Sequence, residues 1–196
     1  LVWNGSGGDG DWFSAANWNP PQIPADGDEA VIDQAMAPGV LLTNATASLS
    51  GLAITNATLT ATNWFTTIRA AEVIVANLAT VTCAGPFIPP GMSNRVQIVC
   101  SNLTVAAGGH IDVDRKGYSG GTVRENGYGP GASTYPHTAP SAGAGHGGDG
   151  GLTSGLRRGG PRYGVAETPE TPGSGSAATY NARGAHGGGA IRIAAS

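Results

Sequence analysis

Glycine is distributed very unevenly along this chain: 24 of its 33 glycines lie between Val105 and Ser196. Runs such as GAGHGGDGG (143–151) and GAHGGGAIRI (184–193) have the composition of a flexible tether. Glycine loses more backbone entropy on ordering than any other residue. If this half folds at all, it needs close backbone packing, bound ions or neighbouring subunits to hold it.

The rest of the composition narrows the fold class. Of the 196 residues only 12% are charged, against about 25% in ordinary globular domains. Lysine occurs once, at Lys116, while Thr, Ala, Val, Asn and Gly dominate, a mixture that favours strands and turns. The chain reads as all-β. A net charge of −3 leaves no basic footprint for nucleic acid. No apolar run approaches the ~20 residues of a spanning helix, so no membrane span is expected. Leu1 leads directly into Val2-Trp3-Asn4-Gly5, as in a processed secreted protein. Cys83 and Cys100 both lie in β-patterned runs, and in a secreted protein they are expected to pair as a disulfide; the alternative is two buried thiols.

Three segments separate by composition. Residues 1–39 hold three of the four tryptophans and several aspartates, and read as an N-terminal cap or joining segment. Residues 40–115 are a succession of short β-patterned runs, the core. Residues 116–196 are a Gly-rich loop region ending in an alternating strand, Ala190-Ile191-Arg192-Ile193-Ala194. Within the core, TNAT (43–46), TNAT (55–58), NLAT (77–80) and NLTV (102–105) repeat weakly, with Asn at 44, 56, 77 and 102. Steps in the low twenties suit one coil of a β-solenoid; the first step, 44 to 56, does not. Leu52/Ile54, Val73/Val75, Val81/Cys83, Val96/Ile98/Cys100, Leu103/Val105 and Ile111/Val113 alternate with polar residues, placing one face inward. The small inward residues favour an irregular parallel β-solenoid (β-helix) with long ordered Gly-rich loops. A β-sandwich is the alternative.

Two stretches carry a family resemblance. Trp3, Gly5, Trp12, Asn17, Trp18, Pro24, Gly27, Asp28, Ala30 and Ile32 form the pattern W-x-G, W, N-W, P-x-x-G-D-x-A-x-I. The second half carries G-Y-x-G-G (117–121), G-Y-G-P-G (127–131), G-H-G-G (145–148) and G-G-G-A-I-x-I (187–193). Both resemble secreted bacterial surface proteins with parallel β-helix or autotransporter-like passenger regions. The resemblance implies a secreted or cell-surface, bacterial, structural protein. Such proteins usually continue into further coils after the G-A-I-x-I strand.

Chemistry-bearing residues are few. Asp9, Asp11, Asp26 and Asp28 offer oxygen ligands for a structural calcium, or else serve as turn aspartates; no other cofactor is expected. His110, Asp112 and Asp114 fall on one strand face. His137, His146 and His186 lie among glycines and tyrosines with Asp149, Arg157, Arg158 and Arg162 nearby in sequence, and a polysaccharide lyase or hydrolase would use such groups. Hydrolysis needs two facing carboxylates, for which the Gly-rich half offers Glu125, Asp149, Glu167 and Glu170. No nucleophile elbow, P-loop or H-E-x-x-H occurs, and no enzymatic activity is expected. Asn4, Asn44, Asn56 and Asn102 open N-x-[ST] sequons and are candidate glycan sites.

The ends suggest a function. Leu1, Val2 and Trp3 at one end and Ala190, Ile191 and Ile193 at the other read as uncapped strands able to add to copies of the same chain. Head-to-tail addition would give a filament. The expected role is a subunit of an extracellular fibre or cell-surface matrix. The alternative is a carbohydrate-binding or carbohydrate-active module, with Trp64, Tyr118 and Tyr128 stacking on sugar rings of a cell-surface polysaccharide.

Overall fold

A computed structural model describes residues 1–33, 39–91, 94–136, 141–153, 158–165 and 170–196. The protein is all-β, with 32% of its residues in strands and 2% in helix. The strands are β1 (Val2–Trp3), β2 (Trp18–Asn19), β3 (Glu29–Asp33), β4 (Val40–Leu42), β5 (Leu49–Thr55), β6 (Thr58–Ala61), β7 (Ile68–Val75), β8 (Thr80–Cys83), β9 (Arg95–Val105), β10 (His110–Ile111) and β11 (Ala190–Ala195). They divide between a seven-stranded sheet, ordered β11-β9-β7-β5-β3-β1-β2, and a four-stranded sheet, ordered β10-β8-β6-β4. The chain separates into two compact units: residues 1–84, 95–112 and 192–196 form the first, and 85–94 with 113–191 the second.

In the first unit, strands alternate between the sheets from β3 to β10, and each of β3 to β8 pairs in parallel with the strand two places on. The offsets in the larger sheet are 22 (29 to 51), 21 (51 to 72) and 30 residues (68 to 98). Inward residues therefore stack in columns. Ala30, Leu52 and Val73 form one, Ile32, Ile54 and Val75 a second, and Val40, Leu59 and Val81 a third. All nine are at most 1% exposed. Burying one such aliphatic side chain contributes about 1.5–3 kcal/mol. The alternation fails where the sequence expected it to continue: Leu103 is half-buried and Val105 is 46% exposed. Among the described residues β9 has only β11 beyond it, so its second half lacks the covering that the inner strands of the sheet have. The long last offset has a plain cause. Residues 85–94 leave between β8 and β9 for the second unit, and residues 113–191 do so between β10 and β11, each time on the passage from the smaller sheet to the larger.

The repeat is partly as expected. Asn56 and Asn77 occupy equivalent turns and bond directly, Asn56 N–H to Asn77 O at 2.9 Å. Asn44 instead matches Asn63, whose side chain donates to the Thr43 carbonyl. The 12-residue step joins two different corners.

Three tryptophans lie at the β1 and β2 edge of the larger sheet. Trp3, Trp12 and Trp18 are at most 1% exposed, with Trp18 edge-on to Trp3 at 5.1 Å and to Trp12 at 4.8 Å. The Trp18 indole N–H donates to the Trp12 carbonyl at 2.8 Å. Asn17, fully buried behind a 3₁₀ turn at Ala15–Asn17, ties the loop. Its Oδ1 accepts from Gly7 N–H (2.8 Å), and its Nδ2 donates to Asp9 Oδ1 (2.6 Å) and the Asp11 carbonyl (2.9 Å). A Cβ on Gly7 would sit 2.7 Å from Asn17 Oδ1, so a larger residue there would displace the Asn17 side chain. Asp11 bridges in parallel to Leu41, extending the smaller sheet, while β1 and β2 extend the larger one.

The second unit contains most of the glycines and has a different core. From 117 to 121 the backbone N–H groups turn through successive neighbours. Gly117 donates to Gly187 O (2.8 Å), Tyr118 to Gly173 O (2.9 Å) and Ser119 to Phe87 O (2.9 Å). Gly120 then returns to the 184–189 segment at His186 Nδ1 (3.0 Å), and Gly121 to the 173–178 segment at Ser176 O (3.0 Å). The direction recurs every third residue, as in a polyproline II-type helix of three residues per turn, whereas a strand alternates every second. The partners step by three as well. Gly184 and Gly187 donate to Gly121 and Tyr118, and Gly173 and Ser176 donate to Gly188 and Ala185, at 2.8–2.9 Å. Three extended segments thus hold one another by their backbones.

Glycine is required by space rather than by turns. A Cβ on Gly117, Gly175 or Gly187 would overlap a carbonyl of a neighbouring segment. Of the described glycines in this unit, only Gly129 (φ 102°) and Gly164 (φ 84°) are left-handed. Buried serines join the layers: Ser133 Oγ donates to Ala142 O (2.7 Å) and accepts from Ala177 N–H (2.8 Å).

Candidate functional site

The residues expected to mediate assembly do not form two open ends. β1 has β3 on one side and β2 on the other, the Val31 N–H reaches the Leu1 carbonyl at 2.8 Å, and Trp3 is buried under Trp18. Leu1-Val2-Trp3 is therefore not a free mating strand; the chain's own β2 already covers it. At the other edge the strand expected to lack a partner lies beside β9. Ala190 is buried, and Ile191 and Ile193 are 37% and 45% exposed. β11 is the outermost strand of the larger sheet among the described residues, and the N–H of the following Ser196 reaches Cys100 O at 3.2 Å. The opposite edge, β2, is two residues long and runs into Pro20 and Pro21. Short length and proline both blunt an edge strand.

Cys83 and Cys100 are not joined to each other, so the expected disulfide is absent. They lie in different sheets, Cys83 opposite Ala61 and Cys100 opposite Ala70, and both are buried. Burial pushes the Cys100 thiol above its ordinary pKa.

The acidic cluster is used locally. Asp9 Oδ1 accepts from Asn17 and from Asp11 N–H (3.0 Å), Asp11 Oδ1 from Phe13 N–H (3.1 Å), Asp26 Oδ1 from Ser48 N–H (2.7 Å) and Asp28 Oδ2 from Ala25 N–H (2.8 Å). The Asn17 amide, then the Asp11 N–H, hold the Asp9 carboxyl below its usual range. No group of three or more His, Cys, Asp or Glu is placed to share a metal among the described residues. His110 and Asp112 are exposed at the end of β10.

In the glycine unit the histidines act on the backbone. His146 Nε2 lies 2.9 Å from Thr171 O, its ring edge-on to Tyr163, whose hydroxyl donates to Pro172 O. His186 Nδ1 accepts the Gly120 N–H. Burial first, then Arg115 and Arg183, lowers its pKa. Burial raises that of Tyr163. Asp149 Oδ1 accepts from Arg162 N–H at 2.9 Å. His137, Arg157 and Glu167 lie outside the described residues.

The sequon asparagines Asn44, Asn56 and Asn102 are exposed and Asn4 is half-buried, its Oδ1 taken by Ser6 N–H (2.9 Å). Of the aromatics expected to stack on sugars, Trp64 has Arg95 over its ring at 4.5 Å, and Tyr118 packs on Phe87 at 4.5 Å. Tyr128 lines a cavity with Arg124, Glu125, Asn126, Gly127 and Tyr135. Sequence reasoning marked Tyr135 among the tyrosines of the Gly-rich half but missed Arg124 and Asn126, which no motif marks. It also missed Ser133 and Ser174, whose only signal is a serine among glycines. Among the described residues, no helix is long and apolar enough to cross a membrane. No protein-family model, curated protein or solved structure matches this chain.

Proposed function

We propose that this chain is a non-catalytic structural module of a secreted or cell-surface assembly, a β-solenoid that joins a second copy by strand addition at its β11 edge. Parallel ladders with inward columns in constant register support a solenoid over a sandwich, whose sheets are antiparallel. The surface location rests on the resemblance of the Trp-rich and Gly-rich motifs. One observation carries the assembly reading: the two edges of the larger sheet are unequal. The first rung is closed by three buried tryptophans and a proline-guarded strand, while β11 is six residues long with five of them exposed. In this reading the second copy pairs through its own β11, a two-fold contact that closes as a dimer, because the tryptophan cap bars its other edge.

A proline test isolates that edge. Backbone N–H groups of a strand alternate sides, and Ser196 N–H points to β9, so Ile193 N–H points away from it. Proline is tolerated on an edge strand where its missing N–H faces outward. Ile193→Pro should fold normally by circular dichroism yet abolish concentration-dependent association in sedimentation and electron microscopy. Wild-type protein that stays monomeric, or an Ile193→Pro variant that assembles equally well, refutes the reading.

A further inference from the structure

We propose that the cavity formed by residues 124–128 and Tyr135 is a binding site for a neutral oligosaccharide. It measures about 500 Å³, inside the ~300–1,000 Å³ of small-ligand sites. Its framework is the glycine bundle, which fixes the residues that face it. Tyr128 is anchored at both backbone groups: its N–H donates to Ser119 O (3.0 Å) and its carbonyl accepts from Gly175 N–H (2.9 Å). Gly127 N–H donates to Ser133 O at 3.1 Å, and a Cβ at Gly127 would overlap the Gly175 carbonyl. The tyrosine ring therefore stands on backbone that cannot shift, which is what a preorganised site needs.

The polar groups around it are partly committed, and what they leave over defines the ligand. Asn126 Oδ1 accepts from Tyr135 N–H at 2.6 Å, so its Nδ2 remains a donor. One Glu125 carboxylate oxygen takes the Thr122 hydroxyl, leaving the other as an acceptor. Arg124, in a left-handed backbone conformation (φ 68°), lays its guanidinium on the Tyr180 ring at 4.0 Å. Cation and carboxylate offset one another, so the cavity has no surplus positive charge to attract a phosphate or a uronate. It is too polar for a lipid. One amide donor and one carboxylate acceptor beside two tyrosines fit a pyranose: C–H faces lie on the aromatic rings and hydroxyls pair with the amide and the carboxylate. The assignment is independent of how the chain assembles.

The test uses calorimetry and NMR with cellohexaose, mannohexaose and hexagalacturonate as probes. Saturable binding of a neutral hexasaccharide is expected, with shift changes centred on Tyr128 and Tyr135. Tyr128→Ala should weaken binding by about tenfold or more, equivalent to one well-made contact, while Tyr128→Phe should stay within about threefold. Glu125→Gln, at an exposed position, should weaken binding without changing the melting temperature. No binding by either neutral sugar, binding by hexagalacturonate alone, or undiminished binding by Glu125→Gln would each overturn the proposal. If Tyr128→Ala fails to fold, wild-type shift mapping decides, and perturbations confined elsewhere count against it.

Discussion

The two units solve the same problem, excluding water from hydrogen-bonded backbone, with opposite materials. In the first, parallel strands bring side chains into columns, and the core is Leu52, Ile54, Leu59, Val73 and their neighbours. In the second the packed atoms are largely carbonyl and amide groups, because segments such as 117–121 and 184–189 approach more closely than any Cβ allows. The side-chain core draws on the hydrophobic effect at ~25 cal/mol per Å². The glycine core draws on many backbone hydrogen bonds of about 0.5–1.5 kcal/mol each, against the largest entropy loss of any residue type. One core should tolerate volume changes by local relaxation; the other has nothing soft to yield.

The largest effect should come from the cap. Trp18→Ala removes an indole that touches two others and donates to the Trp12 carbonyl, and should cost about 3–5 kcal/mol. Chemical denaturation measures the loss. Hydrogen exchange should locate it in 1–84 rather than 113–191, and equal acceleration in both would show one cooperative unit instead of two.

A pair of glycine substitutions sharpens the contrast further. Gly187→Ala drives a methyl into the Gly173 carbonyl and should cost about 3 kcal/mol, with exchange rising in 113–191. Gly51→Ala, on β5, meets only Glu29 Cγ at 3.5 Å and should stabilise by about 0.5–1 kcal/mol, since glycine within a strand is worse than alanine. If both substitutions were equally mild, the second unit would not be held by close backbone contact.

These differences mark what the sequence could and could not reveal. The period-2 alternation of Leu52/Ile54, Val73/Val75 and Val96/Ile98 is a local signal, and the side-chain core follows it. Register is not local: Asn44 and Asn56 look alike in TNAT, yet they sit at different corners. Cys83 and Cys100 alternate correctly but fall in separate sheets, which spacing alone does not disclose. In the glycine half, composition gave the residue type and the close approach it permits. The three-residue rhythm of donors along 117–121 appears only once partners from 87, 173–176 and 186–187 are in place. The cavity at Tyr128 was half legible, because isolated tyrosines such as Tyr128 and Tyr135 are visible aromatics whereas Arg124 and Asn126 reach it only through the bundle's turns.

Acid should separate the two cores by a smaller margin. His186 accepts the Gly120 N–H, and burial together with Arg115 and Arg183 places its folded pKa below the ordinary 6.5. As pH falls through 6.5, the unfolded chain takes up a proton that the folded bundle resists. Stability contributed by neutral His186 is complete above 6.5, declines below it, and declines no further once pH has passed the folded pKa. Asp9, which serves the tryptophan cap, is displaced the same way from a lower starting point, 3.8, so its contribution is lost only as pH falls below that value. On titration from pH 7.5 to 4.5, exchange corrected for its intrinsic pH dependence should therefore rise first in 117–121 and 173–189, with 3–19 still protected. His186→Asn, which keeps an acceptor and removes the titration, should flatten that early rise. An early rise of equal size in the variant would move its origin away from His186, and a cap that opened before the bundle would reverse the order of the two cores.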